Sequence, residues 1–193
     1  LTPLITAAAG LTSETHGYFA GGYATSPSPG VLDSILQHPF ASDTVATDIA
    51  DMSETKLGLS GSTDTVYGFL MCGSSGASDR KTVDKYIYGS ASTATAIGDM
   101  TEPGNTTGGA SSLTHGYAFG RYKNASNTKH DYIDKFNFSG SFSSSGSMSL
   151  GAAFSVRQGM SGASSATHGY HAGGTDNASA FNGIGRVDFA ADG

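Results

Sequence analysis

The sequence predicts an all-β protein of about four repeated units, each a sheet of four short antiparallel strands. Three observations predict it. A T-H-G-Y motif recurs, reading Val66-Tyr67-Gly68-Phe69 in its second copy, with its glycines Gly17, Gly68, Gly116 and Gly169 lying 51, 48 and 53 residues apart. A repeat of that length marks architectures assembled from one supersecondary unit. A later segment of each unit alternates at period two, the signature of a strand, and no stretch carries a sustained apolar stripe at helical spacing.

The strands follow in order. A glycine stands seven residues before each motif glycine, at Gly10, Gly61, Gly109 and Gly162, and marks the first strand, a. Strand b is the motif itself, ending in a pair of small residues at Gly21-Gly22, Cys72-Gly73 and Gly173-Gly174; in the third unit Gly120 is followed by Arg121. Strand c covers Ile35–Phe40, Val83–Tyr88, Ile133–Phe138 and Ile184–Phe189. Strand d closes on a large apolar residue, over Ala46–Met52, Thr95–Met100 and Gly146–Leu150, and Leu1 fits the same closing slot. In the second unit the expected spans are Lys56–Ser62, Thr65–Cys72, Thr82–Tyr88 and Ala94–Met100. There Val83, Lys85 and Ile87 share one face of strand c, and Asp84, Tyr86 and Tyr88 the other. The links between strands b and c are Tyr23–Ser34, Ser74–Lys81, Tyr122–Asp131 and Thr175–Gly183, rich in residues that form turns. The chain reads as a single domain, 1–193, in units of approximately 1–52, 53–100, 101–150 and 151–193.

One such sheet cannot bury both of its faces. Packing several radially around an axis covers each face with a neighbour and leaves only short edges, which is a β-propeller with one repeat per blade. The fourth unit reaches Gly193 after strand c. Two arrangements fit: a four-bladed ring with one incomplete blade, or part of a larger propeller.

The glycine-bearing strand ending in a Gly-Gly pair, the aromatic alternating strand and the short strand ending in Met or Leu together resemble the kelch repeat over almost the whole chain. The late-blade Trp of that family is missing from every unit, and its early Arg survives only as Lys56 and Arg157, so the chain is kelch-like. The wording T-H-G-Y-x-x-G-G, then I-x-K-F-x-F-(A/S)-S and a D-(M/L) ending, is best carried by Ile133–Ser139 and Ile184–Asp192. It resembles repeat arrays in large structural proteins of marine bacteriophages. The resemblance implies a non-enzymatic structural or adhesion module of a virion, in a tail fibre, appendage or capsid decoration. Its location would be the virion surface or extracellular, and its partners other virion proteins, copies of itself, or a cell-surface glycan. The alternative is a carbohydrate-binding adhesin propeller of a bacterial extracellular protein.

Composition narrows the classes. A net charge of −6 without a basic run removes the electrostatic term on which nucleic-acid binding rests. No apolar stretch approaches the roughly 20 residues of a membrane-spanning helix. The single cysteine, Cys72, excludes an intrachain disulfide, and at a glycine position of the repeat it reads as a small buried residue. Without an initiator methionine or a signal peptide, Leu1 reads as a processed start or the start of a fragment.

Neither a catalytic motif nor a cofactor or metal set emerges. The chain has no H-E-x-x-H, no G-x-S-x-G elbow and no phosphate-binding glycine loop. His16, His115 and His168 hold equivalent places, with Tyr67 in the second unit, so a ring of imidazole ligands is weighed against a repeated turn device, and the turn device is favoured. Tyr18, Phe69, Tyr117 and Tyr170 also repeat, and read as core between blades rather than a sugar-stacking platform. Recognition is expected in the links, which differ from unit to unit. The candidates are Asp79, Arg80 and Lys81 in the second unit, Tyr122, Lys123, Asn124, His130 and Asp131 in the third, and Asp176, Asn177 and Phe181 in the fourth.

Overall fold

The fold is all-β, a succession of small antiparallel sheets none of which closes into a barrel. The computed structural model describes residues 4–105, 107–139, 145–149, 157–176 and 178–189. The first unit holds β1 (Leu4–Thr6), β2 (Ala9–Thr12), β3 (His16–Ala20), β4 (Tyr23–Ser26), β5 (Gly30–Val31), β6 (Ser34–Pro39) and β7 (Thr47–Asp51). The second holds β8 (Ser60–Thr63), β9 (Tyr67–Met71), β10 (Thr82–Ile87) and β11 (Thr95–Asp99). The third holds β12 (Gly108–Ser111), β13 (His115–Lys123), β14 (Thr128–Asn137) and β15 (Ser145–Ser149), and the fourth β16 (Gln158–Ser164), β17 (His168–Thr175) and β18 (Ile184–Asp188).

Within each unit the strands pair in simple succession, β2-β3-β6-β7, then β8 to β11, β12 to β15, and β16-β17-β18. The expected strands a to d therefore appear in order, and the expected alternation of strand c holds. The register slips at one repeated place, between Ile35 and Leu36, Val83 and Asp84, and Ile133 and Asp134, where strand d bulges away from strand c. The first link departs from the pattern: its residues form β4 and β5, which join β1 in a separate three-stranded sheet.

The four sheets pack face to face in chain order, their first strands side by side, β2 against β8, β8 against β12 and β12 against β16. These strands line one cavity of about 310 Å³. Their approach explains the leading glycine: a β-carbon on Gly61 would stand 2.5 Å from the Gly10 carbonyl oxygen, and one on Gly109 or Gly162 would overlap the backbone of the preceding glycine. Between sheets, the strand-b aromatic stacks on the last aromatic of the next strand c. The ring centroids are 4.8 Å apart for Tyr18–Tyr88, 4.6 Å for Phe69–Phe138 and 4.9 Å for Tyr117–Phe189. Each such pair adds roughly 0.5–1.5 kcal/mol beyond area burial.

Among the described residues two buried ion pairs lie between these layers. Lys56 Nζ donates to Asp84 Oδ2 at 2.8 Å and to the Thr82 carbonyl at 3.1 Å. In the third sheet Arg121 pairs with Asp134, which also accepts from Thr101 Oγ1 at 2.6 Å, and donates to the Glu102 carbonyl. Cys72 is buried at the expected glycine-like place, with φ 57° beside 62°, 54° and 68° at Gly21, Gly120 and Gly173. Burial pushes its thiol up, away from the reactive thiolate.

Candidate functional site

The a–b turns are closed by their own side chains. Ser13, Ser112 and Ser165 Oγ accept from the backbone N–H of His16, His115 and His168 at 3.1, 2.9 and 3.1 Å. In the second unit Asp64 Oδ1 does the same for Tyr67 at 2.6 Å. Each histidine Nδ1 is hydrogen-bonded to the hydroxyl of the preceding threonine, at 2.8 Å in all three units. The imidazoles thus belong to a turn repeated in three of the four units, with Tyr67 in their place in the second. Among the described residues no group of three His, Cys, Asp or Glu side chains is placed to hold a metal ion.

The residues that differ between units gather at the opposite end of the sheets, where strand b hands over to strand c and each unit begins. Asp79, in the second link, is the centre. Its Oδ2 accepts from the backbone N–H of Asn124 at 2.6 Å, and its Oδ1 from Asn124 Nδ2 at 2.7 Å and Asn105 Nδ2 at 2.9 Å. Asn124 Nδ2 also reaches Ser74 Oγ at 3.3 Å. One carboxylate therefore ties the second link to both the start and the far hairpin of the third unit. Charge-assisted bonds of this kind contribute about 1.5–3 kcal/mol each.

Charged residues around this centre have acidic partners. Arg80 Nε lies 2.9 Å from Glu54, Lys81 Nζ 3.1 Å from Asp99 and Lys123 Nζ 3.3 Å from Glu102. Tyr122 donates its hydroxyl to Asn127 Oδ1 at 2.8 Å. His130 and Asp131 do not sit in a link. The third unit continues as a hairpin, with Arg121 paired to His130 and Lys123 to Thr128, closed by a 3-10 turn at Asn124–Ser126 and a left-handed Asn127 at φ 52°. His130 stacks on Tyr132 at 5.0 Å along that strand. Asparagine tolerates the left-handed conformation, which lets two strands longer than expected meet in a tight turn.

In the fourth unit Asp176 accepts from the N–H groups of Ala178 and Ser179, both at 2.8 Å. The Ser179 bond, then the Ala178 bond, holds its carboxyl below the usual range, with a smaller contribution from the Lys129 charge. Phe181 lies under the Arg157 guanidinium at 3.5 Å from the ring centroid. Asn177 falls outside the described residues. The structure thus joins Asp79 to Asn124 across two sheets and gives Arg80, Lys81 and Lys123 acidic neighbours, while Asp176 and Phe181 are engaged within the fourth unit.

Sequence reasoning missed Asn105, Ser74, Glu54 and Glu102. Asn105 bridges Tyr122 as Leu57 bridges Ser74 one unit earlier, so the start of each unit belongs to the same surface as the b–c link. That equivalence was present in the repeat, since Leu57 and Asn105 both stand four residues before the strand-a glycine. The arrangement offers fixed hydrogen-bonding groups and paired charges.

No family model and no curated protein matches the sequence. Among solved structures the chain is similar to one described as the structure of YjhT, with a TM-score of 0.72 at 10% identity. The match covers 88% of this chain and 59% of that one, so the chain spans a little over half of its length. Among the described residues no helix is long and apolar enough to cross a membrane.

Proposed function

We propose that this chain is a kelch-like β-propeller module of a phage particle that binds rather than catalyses, presenting its b–c links to a host-surface glycan or to another virion protein. The observation that carries this reading is the Asp79 centre, where three donors from two side chains and a backbone hold links of adjacent units in one fixed relation. A loop surface ordered in advance loses less conformational entropy on binding. Four sheets packed in succession, with their first strands around one cavity, support the propeller. Support for the virion comes from the repeat wording in Ile133–Ser139 and Ile184–Asp192.

The test applies the purified chain to an array of bacterial surface polysaccharides and, separately, to phage particles. Binding to either, weakened at least tenfold by the double substitution Asp79→Ala and Asn124→Ala in folded protein, is the expected result. Binding to bacterial glycans with none to particles would favour the bacterial adhesin. A folded chain that binds neither sinks the proposal.

A further inference from the structure

The two buried ion pairs are alike in place and unlike in chemistry. Asp134 has both oxygens engaged, Oδ2 by Arg121 and Oδ1 by Thr101 Oγ1 at 2.6 Å. Asp84 is held on one side: Oδ2 accepts from Lys56 Nζ at 2.8 Å, while Oδ1 is buried with no hydrogen-bond partner among the described residues. Leaving a buried acceptor unpaired is costly. A third group faces the same amine. Glu54 Oε1 lies 3.8 Å from Lys56 Nζ and is likewise buried with no hydrogen-bond partner among the described residues, while Oε2 lies 2.9 Å from Arg80 Nε. The Lys56 and Asp84 side chains are both 0% exposed, so bulk water reaches neither.

An amine, a carboxyl group and a proton carrier are thus closed off together. We infer that Lys56 Nζ and Asp84 Cγ join in an amide bond inside the folded chain, with Glu54 moving the protons. Glu54 Oε1 takes one proton from the ammonium group. The freed lone pair attacks Cγ once the carboxylate turns about its Cβ–Cγ bond, a turn that no hydrogen bond to Oδ1 opposes. The C–N bond forms, and the tetrahedral adduct releases one carboxyl oxygen as water, which carries off the proton held by Glu54 and a second from the nitrogen. Ammonium and carboxylate give amide and water, so the step needs no oxidant, reductant or activated donor. Contact between the partners replaces a bimolecular encounter. A positioned carboxylate speeds the proton transfers, and exclusion of water protects the product from hydrolysis. The third unit cannot follow, because the guanidinium of Arg121 does not give up its proton. The bond spans 28 residues and fastens the segment entering the second sheet to that sheet's strand c.

The intact mass of the folded, purified chain, measured after denaturation, tests this. It is expected to fall short of the sequence mass by one water. In a tryptic digest the chain should stay uncut after Lys56, and the peptide carrying Lys56 should arrive joined to the one carrying Asp84. Lys56→Arg keeps the ion pair of the third unit and should show the full mass, as should unaltered chain kept in denaturant from synthesis onward. Glu54→Gln should fold with an unchanged circular dichroism spectrum and close the bond at least tenfold more slowly, followed as the fraction of chains lacking the water over time. A folded wild-type chain that keeps its full mass overturns the inference. So does a lost water that maps elsewhere or persists in Lys56→Arg, and a Glu54→Gln chain that closes as fast overturns the role of Glu54.

Discussion

Arg121 and Gly104 occupy, in exchanged order, the places that Gly73 and Lys56 hold one sheet earlier. A β-carbon on Gly104 would stand 3.0 Å from that of Arg121, and one on Gly73 3.1 Å from that of Lys56. The cation enters from the segment before strand a in the second unit, since that strand spans Ser60–Thr63 and not the expected Lys56–Ser62, and from strand b in the third. It reaches the same carboxylate of strand c, Asp84 or Asp134. The space admits one long side chain, and glycine must face it.

Removing Asp134 leaves the buried Arg121 without its carboxylate, and removing Asp84 leaves Lys56 only the more distant Glu54, at 3.8 Å. Asp134→Ala is expected to destabilise the fold by about 3–5 kcal/mol, whereas replacing Lys56 and Asp84 together by Met and Leu costs less than Asp84→Ala alone. Urea denaturation midpoints at constant slope measure both. A double variant no better than the single would mean that the pair contributes more than it costs to bury.

The a–b turns predict a substitution that the repeat itself has already made. Asp64 Oδ1 accepts from Val66 and Tyr67 N–H at 2.7 and 2.6 Å. Asp64→Ala should cost about 1–3 kcal/mol, and Asp64→Ser, the residue of the other three turns, clearly less. Thermal melting distinguishes them, and equal losses would refute the equivalence of the turns.

The His171 imidazole is held below its ordinary range, by burial first and by the Arg157 charge second. The unfolded chain takes up this proton near pH 6.5, above the folded value, so it binds more protons in that window. Stability from this group is complete above about pH 6.5 and declines as pH falls from there towards the folded value. The melting temperature should therefore drop between pH 7.5 and 5.5, and less in His171→Leu, the residue that Leu70 places at the same position. An unchanged slope in the variant would assign the pH dependence elsewhere.

The strand-a glycines should respond unequally to one substitution. Gly109→Ala drives a methyl group into the Gly61 backbone and is expected to cost about 1–3 kcal/mol, since backbone cannot yield as a side chain can. Gly10→Ala faces open space and should change stability by no more than about 0.5 kcal/mol. Equal effects would show that the glycines serve backbone conformation and not close approach.

Period and alternation lie in the chain itself: they named the all-β class, the order of strands a to d, the glycine place taken by Cys72 and the turn role of His16, His115 and His168. Those features depend on residues a few positions apart, or on the repetition of one local pattern. The small sheet of β1, β4 and β5, the exchange of Arg121 with Gly104, and the centre at Asp79 do not. Asp79 meets Asn124 across 45 residues, and Lys56 meets Asp84 across 28. Local patterning sets which way each side chain points. The partner it finds depends on how far one sheet stands from the next, and that distance is set by the stacked aromatics and the touching glycine backbones.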